Sequence, residues 1–599
     1  MTAPDLGFHH DGSADHVSTL TPEPGEAVTV FVRTPRTQRE GVFVRTVRDG
    51  EPHFTAAVAD RETDDEIWWR ADITVHNPVT QYRFLATGSA GYRWLNAAGL
   101  WSHDVPDTAD FRLVGHPPPP NWAADAVAYE IFPDRFARSD AVTAPPGWAF
   151  AADWDDPVQG HGEGAARQLY GGDLHGVRER LDHIGSLGAN LLWLTPVFPA
   201  RSNHRYNAST FEHVDPLLGG DAAYRTLIDE VHARGWRIVG DLTTNHCGDD
   251  HPWFTAAMSQ EASAERGFFW FTGGRPGYES WMGVPSLPKF NWSDPELVER
   301  MVARPDSIIR RWLRTGLDGW RIDVANMTGR HHDANLTTEV AARILQAATT
   351  ERPDALLIAE HAHDATADLD TGGWHATMNY AGFTRPVWTW LRGEDTRLEF
   401  LGLPTHVPRL GGKDAVRTMR MFAAQMSWRT YTHCWSVLSS HDTARIRTVC
   451  GSPDLTKVAA GLAYTLPGTP MIFAGDEIGL RGDFGEDGRR PMPWHRTSTW
   501  DTDLLATYRA LGALRARETS LRHGGLRWLH VGDDVAVFAR EHAGETVLVQ
   551  AARAAHQPVR IRLRTEAESI FGDGPRLMPN REGWTGLPGD GPAFRVWRY

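Results

Sequence analysis

Short apolar segments alternate with amphipathic stretches between residues 126 and 477, and this alternation constrains the fold more than any other feature. Apolar runs of this length, separated by helical periodicity, are typical of parallel strands joined by crossover helices. The strands are expected at 126–132, 189–198, 236–242, 318–325, 355–361, 375–380, 435–442 and 469–477. Helices are expected near 174–187, 221–234, 295–315 and 335–350. Eight such strands favour a closed parallel (β/α)8 barrel, of the TIM type, over an open α/β sheet.

The segments that flank this alternation are of a different kind. Residues 26–115 contain short β segments separated by turns, which indicates an N-terminal β-sandwich over 1–121. The proline-rich run at 116–120 cannot pair as a central strand and is interpreted as a linker. Residues 122–520 would form the barrel, with an inserted subdomain at about 246–290 after the third strand. Residues 521–599 return to strand patterns and predict a C-terminal β-sandwich.

Composition excludes several classes of partner. The formal net charge is −15, whereas nucleic acids and anionic membranes require a basic face on the protein. No stretch approaches the roughly 18 apolar residues of a transmembrane helix. Three cysteines do not make a disulfide framework, and the N-terminal residues have neither the basic start nor the apolar run of a signal peptide. The expectation is a cytoplasmic protein with neither a nucleic-acid nor a membrane partner.

Acidic residues stand at the carboxyl ends of three predicted strands, where a barrel carries its reacting groups. Asp323 ends the fourth strand, Glu360 the fifth and Asp442 the seventh. Because alternate residues of a strand face the same way, Arg321 should point with Asp323 toward the barrel axis. A neighbouring guanidinium is expected to hold that carboxylate ionised. Two converging carboxyl groups are what glycoside hydrolysis requires, and a separation of about 5 Å gives retention.

Seven segments then carry a resemblance to a known family, the α-amylase family. Four resemble its ordered signature regions: 241–246 (DLTTNH), 319–326 (GWRIDVAN), 359–361 (AEH) and 440–443 (SHDT). Three more, 170–174 (YGGDL), 287–291 (LPKFN) and 468–470 (GTP), occur in the same order. The resemblance covers roughly 122–520 and implies a retaining glycoside hydrolase acting on α-1,4-glucosidic bonds of maltodextrins.

The same resemblance implies a role for each matching residue. Asp323 is the expected nucleophile, Glu360 the general acid/base, and Asp442 the carboxylate that holds two sugar hydroxyls. The expected substrate-binding residues are Arg321, His246, His441 and Tyr206. Asp241 and Asn245 are expected to support the site structurally. Asn207 stands where relatives often have Asp, which is a mild departure from the pattern.

Further segments indicate a branch of this family. The segment 129–136 (YEIFPDRF), the LPKFN segment and the extra N-terminal β domain resemble the neopullulanase and cyclomaltodextrinase branch. Segments 327–329, 360–364 and 378–384 are most similar to maltodextrin glucosidases. Neopullulanases tend to carry Glu where Met327 stands, which argues against α-1,6 cleavage.

Partners and cofactors follow from the same reasoning. An oligosaccharide is the expected substrate. The N-terminal domain is expected to be a carbohydrate-binding module or a homodimer contact, and the remaining alternative is a structural appendage. Some relatives bind calcium near Gly171 and Asp173, but Arg138 would repel a cation there, so no cofactor or metal is predicted. The pairs His331/His332 and His361/His363 are typical of transition-metal ligands, but no third ligand is evident in the sequence.

Two alternative functions remain open at this point. A transglycosylase, such as a trehalose synthase or a branching enzyme, would use the same three acids with a sugar as acceptor in place of water. A catalytically inactive carbohydrate-binding member of the family typically lacks one of the acids, whereas this chain has all three.

Overall fold

The computed structural model describes residues 7–38, 41–88, 91–141, 144–162, 164–274 and 276–599. The first six residues of the predicted N-terminal domain and residue 275 of the predicted insertion therefore lie outside the described residues. The fold predicted from the sequence is confirmed: a barrel of parallel strands lies between N-terminal and C-terminal antiparallel sheets.

The central sheet has eight parallel strands within the described ranges, each pairing with its neighbours along the chain. The first and last strands also pair in parallel, and a parallel bridge between Met378 and Trp435 joins the sixth to the seventh. The sheet is therefore closed. Strands β1 to β8 in chain order are Ala128–Ile131, Leu191–Leu194, Arg237–Thr243, Gly319–Asp323, Leu356–Ala359, Ala376–Thr377, Trp435–Val437 and Thr469–Phe473.

The strands of the barrel are buried along most of their length, which explains why they appear in the sequence as continuous apolar runs. Gly319 starts β4 with a φ of 153°, and a Cβ at this position would lie 2.0 Å from the carbonyl oxygen of Leu356 on β5. Only glycine allows the two strands to approach this closely. The register of β4 against β5 is therefore fixed at Gly319, and this register sets the position along the barrel axis of Asp323, the last residue of β4.

Helices cover the outside of the barrel. They are Leu174–Glu179, Leu181–Ser186, Gly220–Ala233, Pro295–Val298, Ile308–Arg314, Thr337–Glu351, Arg385–Leu391, Gly412–Ala423, Trp428–His433, Ile446–Cys450, Pro453–Thr465, Thr502–Arg517 and Thr519–His523. Further helices are Pro133–Phe136 after β1, Pro252–Ser259 in the insertion, and Gly485–Gly488 after β8. None of the helices that the structure describes is both long and apolar enough to cross a membrane.

Two helix expectations were wrong. The helix predicted over 295–315 is divided: a π-helical turn, Glu299–Ala303, follows Pro295–Val298, and helix resumes only at Ile308. Pro305 explains the interruption, because proline disfavours helical geometry in the residue before it and has no N–H to donate. Between β5 and β6 the described chain contains no helix, although helices were expected between all the strands. That connection is rich in Asp, Thr and Gly, which favour turns.

The flanking sheets are antiparallel. The N-terminal sheets share a core that includes Val28, Val30 and Phe84. Their strands are Ala27–Pro35, Glu66–Thr74 and Val58–Glu62 in one sheet, and Glu51–Ala56, Val42–Arg48, Val79–Gly88, Gly91–Asn96, Gly99–Trp101 and Phe111–Val114 in the other. The C-terminal sheets comprise Gly525–Val531, Val535–His542, Glu545–Ala552, Ala593–Arg598 and Glu568–Phe571, and the pair Val559–Arg562 with Trp584–Leu587. Arg527 Nη2 donates to Glu66 Oε1 at 2.7 Å and so links a C-terminal strand to an N-terminal one.

Candidate active site

The guanidinium of Arg321 links three carboxylates at the carboxyl ends of neighbouring strands. Its Nη1 donates to Asp323 Oδ1 at 2.9 Å and to Asp241 Oδ1 at 3.1 Å. Its Nη2 lies 3.4 Å from Glu360 Oε2. Arg321 and Asp323 are two residues apart on β4, so both side chains project to the same side, as the alternation on a strand requires. The arrangement brings Asp323 and Glu360 onto one cation.

The residue after Asp323 fixes Glu360 from the other side. Val324 has a φ of 46°, a left-handed conformation that costs a β-branched residue on the order of 1–3 kcal/mol. This conformation directs the Val324 N–H to Glu360 Oε2, at 2.7 Å. The strain is therefore coupled to the position of a carboxylate, which is the pattern expected at a functional site.

Burial raises the pKa of Asp323 well above its ordinary value, and the negative charges of Glu360 and Asp241 raise it further. Arg321 opposes this effect but does not overcome it, because one guanidinium serves three carboxylates. Burial also raises the pKa of Asp241 to about 6. Arg321 thus acts on Asp323 toward the ionised form, as the sequence suggested, whereas burial, which the sequence does not reveal, acts in the opposite direction and outweighs it.

The third acid, Asp442, lies in a separate network. Its Oδ2 is 3.2 Å from Nε2 of His441, and its Oδ1 accepts from Arg489 Nη2 at 3.3 Å. Nδ1 of His441 lies 2.6 Å from Oε1 of the fully buried Glu130 on β1. Burial lowers the pKa of His441 to about 4. A Cβ on Gly485 would lie 2.9 Å from the backbone of Asp442, so only glycine lets the β8 loop pack this closely.

An aromatic side chain connects the two networks. The Tyr206 hydroxyl donates to Asp241 Oδ2 at 2.9 Å, and its ring stacks on His441 with centroids 5.4 Å apart and an interplanar angle of 10°. His246 lies on the Asp323 side, with its Nε2 3.9 Å from Asp323 Oδ2. Burial lowers the pKa of His246 to about 3, so its ring is neutral. The predicted site residues of β3, β4, β5 and β7 are thereby joined through a continuous set of contacts.

Asn245, predicted to support the site, is held by a buried lysine. Lys289 Nζ donates to Asn245 Oδ1 and, at 2.9 Å, to the carbonyl oxygen of Met327. Asn245 Nδ2 in turn lies 3.2 Å from Nδ1 of His246. Lys289 therefore ties the LPKFN segment of the insertion to the ends of β3 and β4.

Comparison with known proteins identifies the family. The Alpha amylase, catalytic domain, family model matches residues 130–502, which is more than half of the chain. The chain belongs to the α-amylase family. It is a glycoside hydrolase by this membership, and the prediction of an enzyme of this class is confirmed.

Individual members of the α-amylase family match much of this chain. It is 32% identical to neopullulanase 2 of Thermoactinomyces vulgaris over 70% of its length and 67% of that protein. It is 30% identical to a cyclomaltodextrinase of a Bacillus species over 80% of its length and 83% of that protein. The solved structure of a cyclomaltodextrinase superimposes with a TM-score of 0.75 at 24% identity and covers 99% of both chains, which supports the fold. The predicted branch is confirmed.

Some members of this family bind calcium near the YGGD segment, but here that segment does not fit a cation. Asp173 Oδ1 accepts from the N–H of Gly176 at 2.7 Å, as the cap of the helix Leu174–Glu179. Its Oδ2 accepts from the N–H and the hydroxyl of Ser139, at 3.1 and 2.8 Å. Both oxygens are therefore engaged as the protein is folded, and no step of the reaction is assigned to calcium.

Sequence reasoning missed Glu130 and Arg489, which position His441 and Asp442. Glu130 carried a signal, because it is a charged residue inside an apolar strand and therefore needs a buried partner. Arg489 carried none: its loop after β8 has no periodicity, and only the fold brings it to Asp442. Trp193 was also missed, although its Nε1 donates to Asp241 Oδ2 at 3.2 Å.

Proposed function

We propose that this protein is a retaining glycosidase that cleaves α-1,4-glucosidic bonds of short maltodextrins. The observation that carries the proposal is the pair of carboxylates, Asp323 and Glu360, on the single guanidinium of Arg321. Retaining glycosidases need two carboxyl groups at close range, one as nucleophile and one as acid and then base. Arg321 contacts both carboxyl groups and so holds them at one place in the barrel.

Asp323 is the proposed nucleophile. Arg321 holds its Oδ1, which leaves Oδ2 to attack the anomeric carbon. The new bond joins Oδ2 to that carbon as the bond to the leaving oxygen breaks, and Glu360 delivers a proton to that oxygen. In the second half, water loses a proton to Glu360 and attacks the same carbon, which releases Asp323. Two inversions leave the product with the starting α configuration.

Glu360 has one oxygen available for proton transfer. Its Oε2 accepts from Val324 N–H at 2.7 Å and faces Arg321. Oε1 is therefore the atom assigned to carry the proton. Because the Val324 backbone is fixed directly after Asp323, the two reacting groups keep a constant relation through both halves of the reaction.

The Asp442 network is proposed to hold the sugar whose bond is cleaved. Asp442 is fixed from both sides by His441 and Arg489, so its carboxylate is oriented before substrate binds. Neutral histidines at 246 and 441 can hydrogen-bond to sugar hydroxyls. The Tyr206 ring, already fixed by its stacking on His441, offers its remaining surface to the same ring.

The substrate class rests on the relatives, whose names describe enzymes of pullulan and cyclomaltodextrin breakdown. We therefore assign α-glucan oligosaccharides, and among them linear maltodextrins. Transglycosylation proceeds through the same glycosyl intermediate as hydrolysis, so only the products distinguish the two reactions. Longer or isomeric sugars formed from maltotriose would indicate a sugar acceptor, whereas glucose and maltose would indicate water as the acceptor. Time courses on γ-cyclodextrin and pullulan run in parallel test cyclic and α-1,6-containing substrates.

The test of the catalytic assignment is Glu360→Gln. We expect a loss of turnover by a factor of at least about 100 with maltodextrin binding retained, since only proton transfer is removed. Glu486→Gln serves as the control, because Glu486 is also half-buried and bonds an arginine, Arg489, but has no proposed proton-transfer role. Activity of Glu360→Gln equal to that of the control would contradict the assignment.

Three further predictions belong to this proposal. Domain boundaries near 121 and 520 stay predictions, as does a homodimer formed through the N-terminal domain, which light scattering of the full chain would test. A cytoplasmic location is supported by three buried cysteines, all unpaired. Fractionation of the source cells would test it.

A further inference from the structure

A cluster of metal-ligating side chains that includes none of the three acids of the carboxylate site lies where the inserted subdomain meets the loop after β4. Glu279, His331 and His332 each offer one ligand atom, and these atoms all lie within 4.8 Å of one another. The sequence indicates the two histidines but not the acid, which is separated from them by about fifty positions. The fold supplies the third ligand that the sequence lacks.

Two short backbone structures hold these residues in place. Arg330–His331 pairs with Ala334–Asn335 as a hairpin whose turn contains His332, with a φ of 48°. Glu279 is fixed in the insertion, because its N–H donates to the Trp270 carbonyl oxygen at 2.8 Å and its own carbonyl oxygen accepts from the Lys289 N–H at 3.0 Å. Backbone pairing, rather than the side chains themselves, therefore brings the three ligands together.

An aromatic contact orients one of the ligands. The Trp270 ring lies over His331 with centroids 4.3 Å apart, and the His331 and His332 rings are 4.2 Å apart. The ammonium group of the neighbouring Lys289 is bonded to Asn245 and to the Met327 carbonyl oxygen.

The ligand atoms of this cluster differ from those of a second cluster in their other contacts. Within the residues that the structure describes, no hydrogen bond or ion pair involves the side chain of Glu279, His331 or His332. The cluster of His9, Asp11 and His16 has similar chemistry but differs in this respect. There, Nδ1 of His16 lies 2.8 Å from Asp11 Oδ1 and its Nε2 accepts from Arg33 at 3.3 Å, so both ring nitrogens are used.

We propose that Glu279, His331 and His332 bind one zinc ion and so fasten the inserted subdomain to the hairpin after β4. Two imidazoles and a carboxylate are a ligand set that zinc favours, with a fourth position filled by water. The ion would connect two segments far apart in the chain, beside the Lys289 contact that links the insertion to Met327. The ion would use none of the residues assigned to catalysis, so its binding does not depend on the catalytic assignment.

The test is zinc titration by calorimetry of the full-length protein after removal of metals with EDTA. We expect one tight site per chain, and a loss of affinity of at least about tenfold in each of Glu279→Gln, His331→Asn and His332→Asn. His53→Asn removes an exposed histidine elsewhere and should bind zinc like the unchanged protein. Near-UV circular dichroism checks that the folded state is retained in each variant.

A second measurement distinguishes the two clusters. Asp11→Asn should leave the tight site intact, and cobalt substituted for zinc should give the intense visible absorption of four-coordinate geometry, lost in Glu279→Gln. Absence of a tight site in the unchanged protein would overturn the proposal. So would affinities in the three ligand variants equal to that of the unchanged protein, or a loss of affinity in Asp11→Asn instead.

Discussion

The charge of Asp241 should shift the acid limb of the pH profile of kcat/KM, although Asp241 takes no direct part in the proposed reaction. Its carboxylate and that of Asp323 both contact Nη1 of Arg321, at 3.1 and 2.9 Å, so their nearest oxygens lie within about 6 Å. The negative charge of Asp241 is one of the causes that raise the pKa of Asp323. Asp241→Asn removes this charge. The positive charge of Arg321 is then shared with one carboxylate fewer, so it stabilises the ionised form of Asp323 more strongly.

The size of the effect follows from Coulomb's law. Two charges about 6 Å apart interact by roughly 3 kcal/mol at an effective dielectric constant of about 20, which corresponds to about 2 pKa units. The pKa of Asp241 is itself about 6, so its charge is only partly developed in acid. We therefore expect the pKa of Asp323 to fall by about 1 unit in Asp241→Asn.

The sign of the pH dependence follows from the role of Asp323. The nucleophile must be ionised, so its raised pKa places the acid limb of kcat/KM above the usual range of an aspartate. Lowering that pKa moves the acid limb to lower pH. The maximal rate can fall in the same variant, because the contacts of Arg321 and Tyr206 with Asp241 are altered, but this does not change the direction in which the limb moves. The assay is kcat/KM for maltotriose from about pH 3 to 8, which reports ionisation in the free enzyme.

Asp318→Asn is the matched control. Asp318 is also a fully buried aspartate bonded to arginine, but it lies before β4 at the opposite end of the barrel. Its removal should lower stability without moving the acid limb. An acid limb that stays in place or rises in a folded Asp241→Asn protein would refute the charge coupling.

Two further predictions concern the Asp442 network. Arg489→Ala should lower kcat/KM by about 10- to 100-fold because Asp442 loses one of its two anchors. Arg490→Ala, at an exposed neighbour that bonds Asp487, should have little effect. Similar losses in both variants would contradict this. Tyr206→Phe keeps the stacking on His441 and should retain most substrate affinity, while Tyr206→Ala should raise KM by several-fold. Equal KM values in the two variants would show that the ring does not contribute to binding.

Elements set by local chemistry could be predicted from the sequence. The barrel strands were evident because strands buried on both faces are continuously apolar, and the caps at Asp294 and Ser452 begin helices as their side chains dictate. The break at Pro305 could also have been found from the proline alone. β6 is shorter than the strand predicted from the apolar segment around it. Where its pairing ends depends on contacts with the neighbouring strands, which the sequence alone does not show.

The site was predictable in part for the same reason. Asp323, Glu360 and Asp442 follow apolar strands directly, so their position at one end of the barrel is a consequence of topology. Glu279 and Arg489 lie on irregular segments, where the path of the chain depends on tertiary packing. The raised pKa of Asp323 was missed because it depends first on burial of the carboxyl group and then on the neighbouring carboxylates, and only the assembled barrel determines both.

The central claim, that Asp323 is the nucleophile, can be tested most directly by capturing the glycosyl-enzyme. In Glu360→Gln, α-maltosyl fluoride can still react, because fluoride leaves without protonation, while hydrolysis of the intermediate lacks its base. We expect a maltosyl adduct, seen by intact-protein mass spectrometry and mapped to Asp323 by peptide sequencing. An adduct on another residue would contradict it, as would a β-configured first product from the unchanged enzyme by NMR.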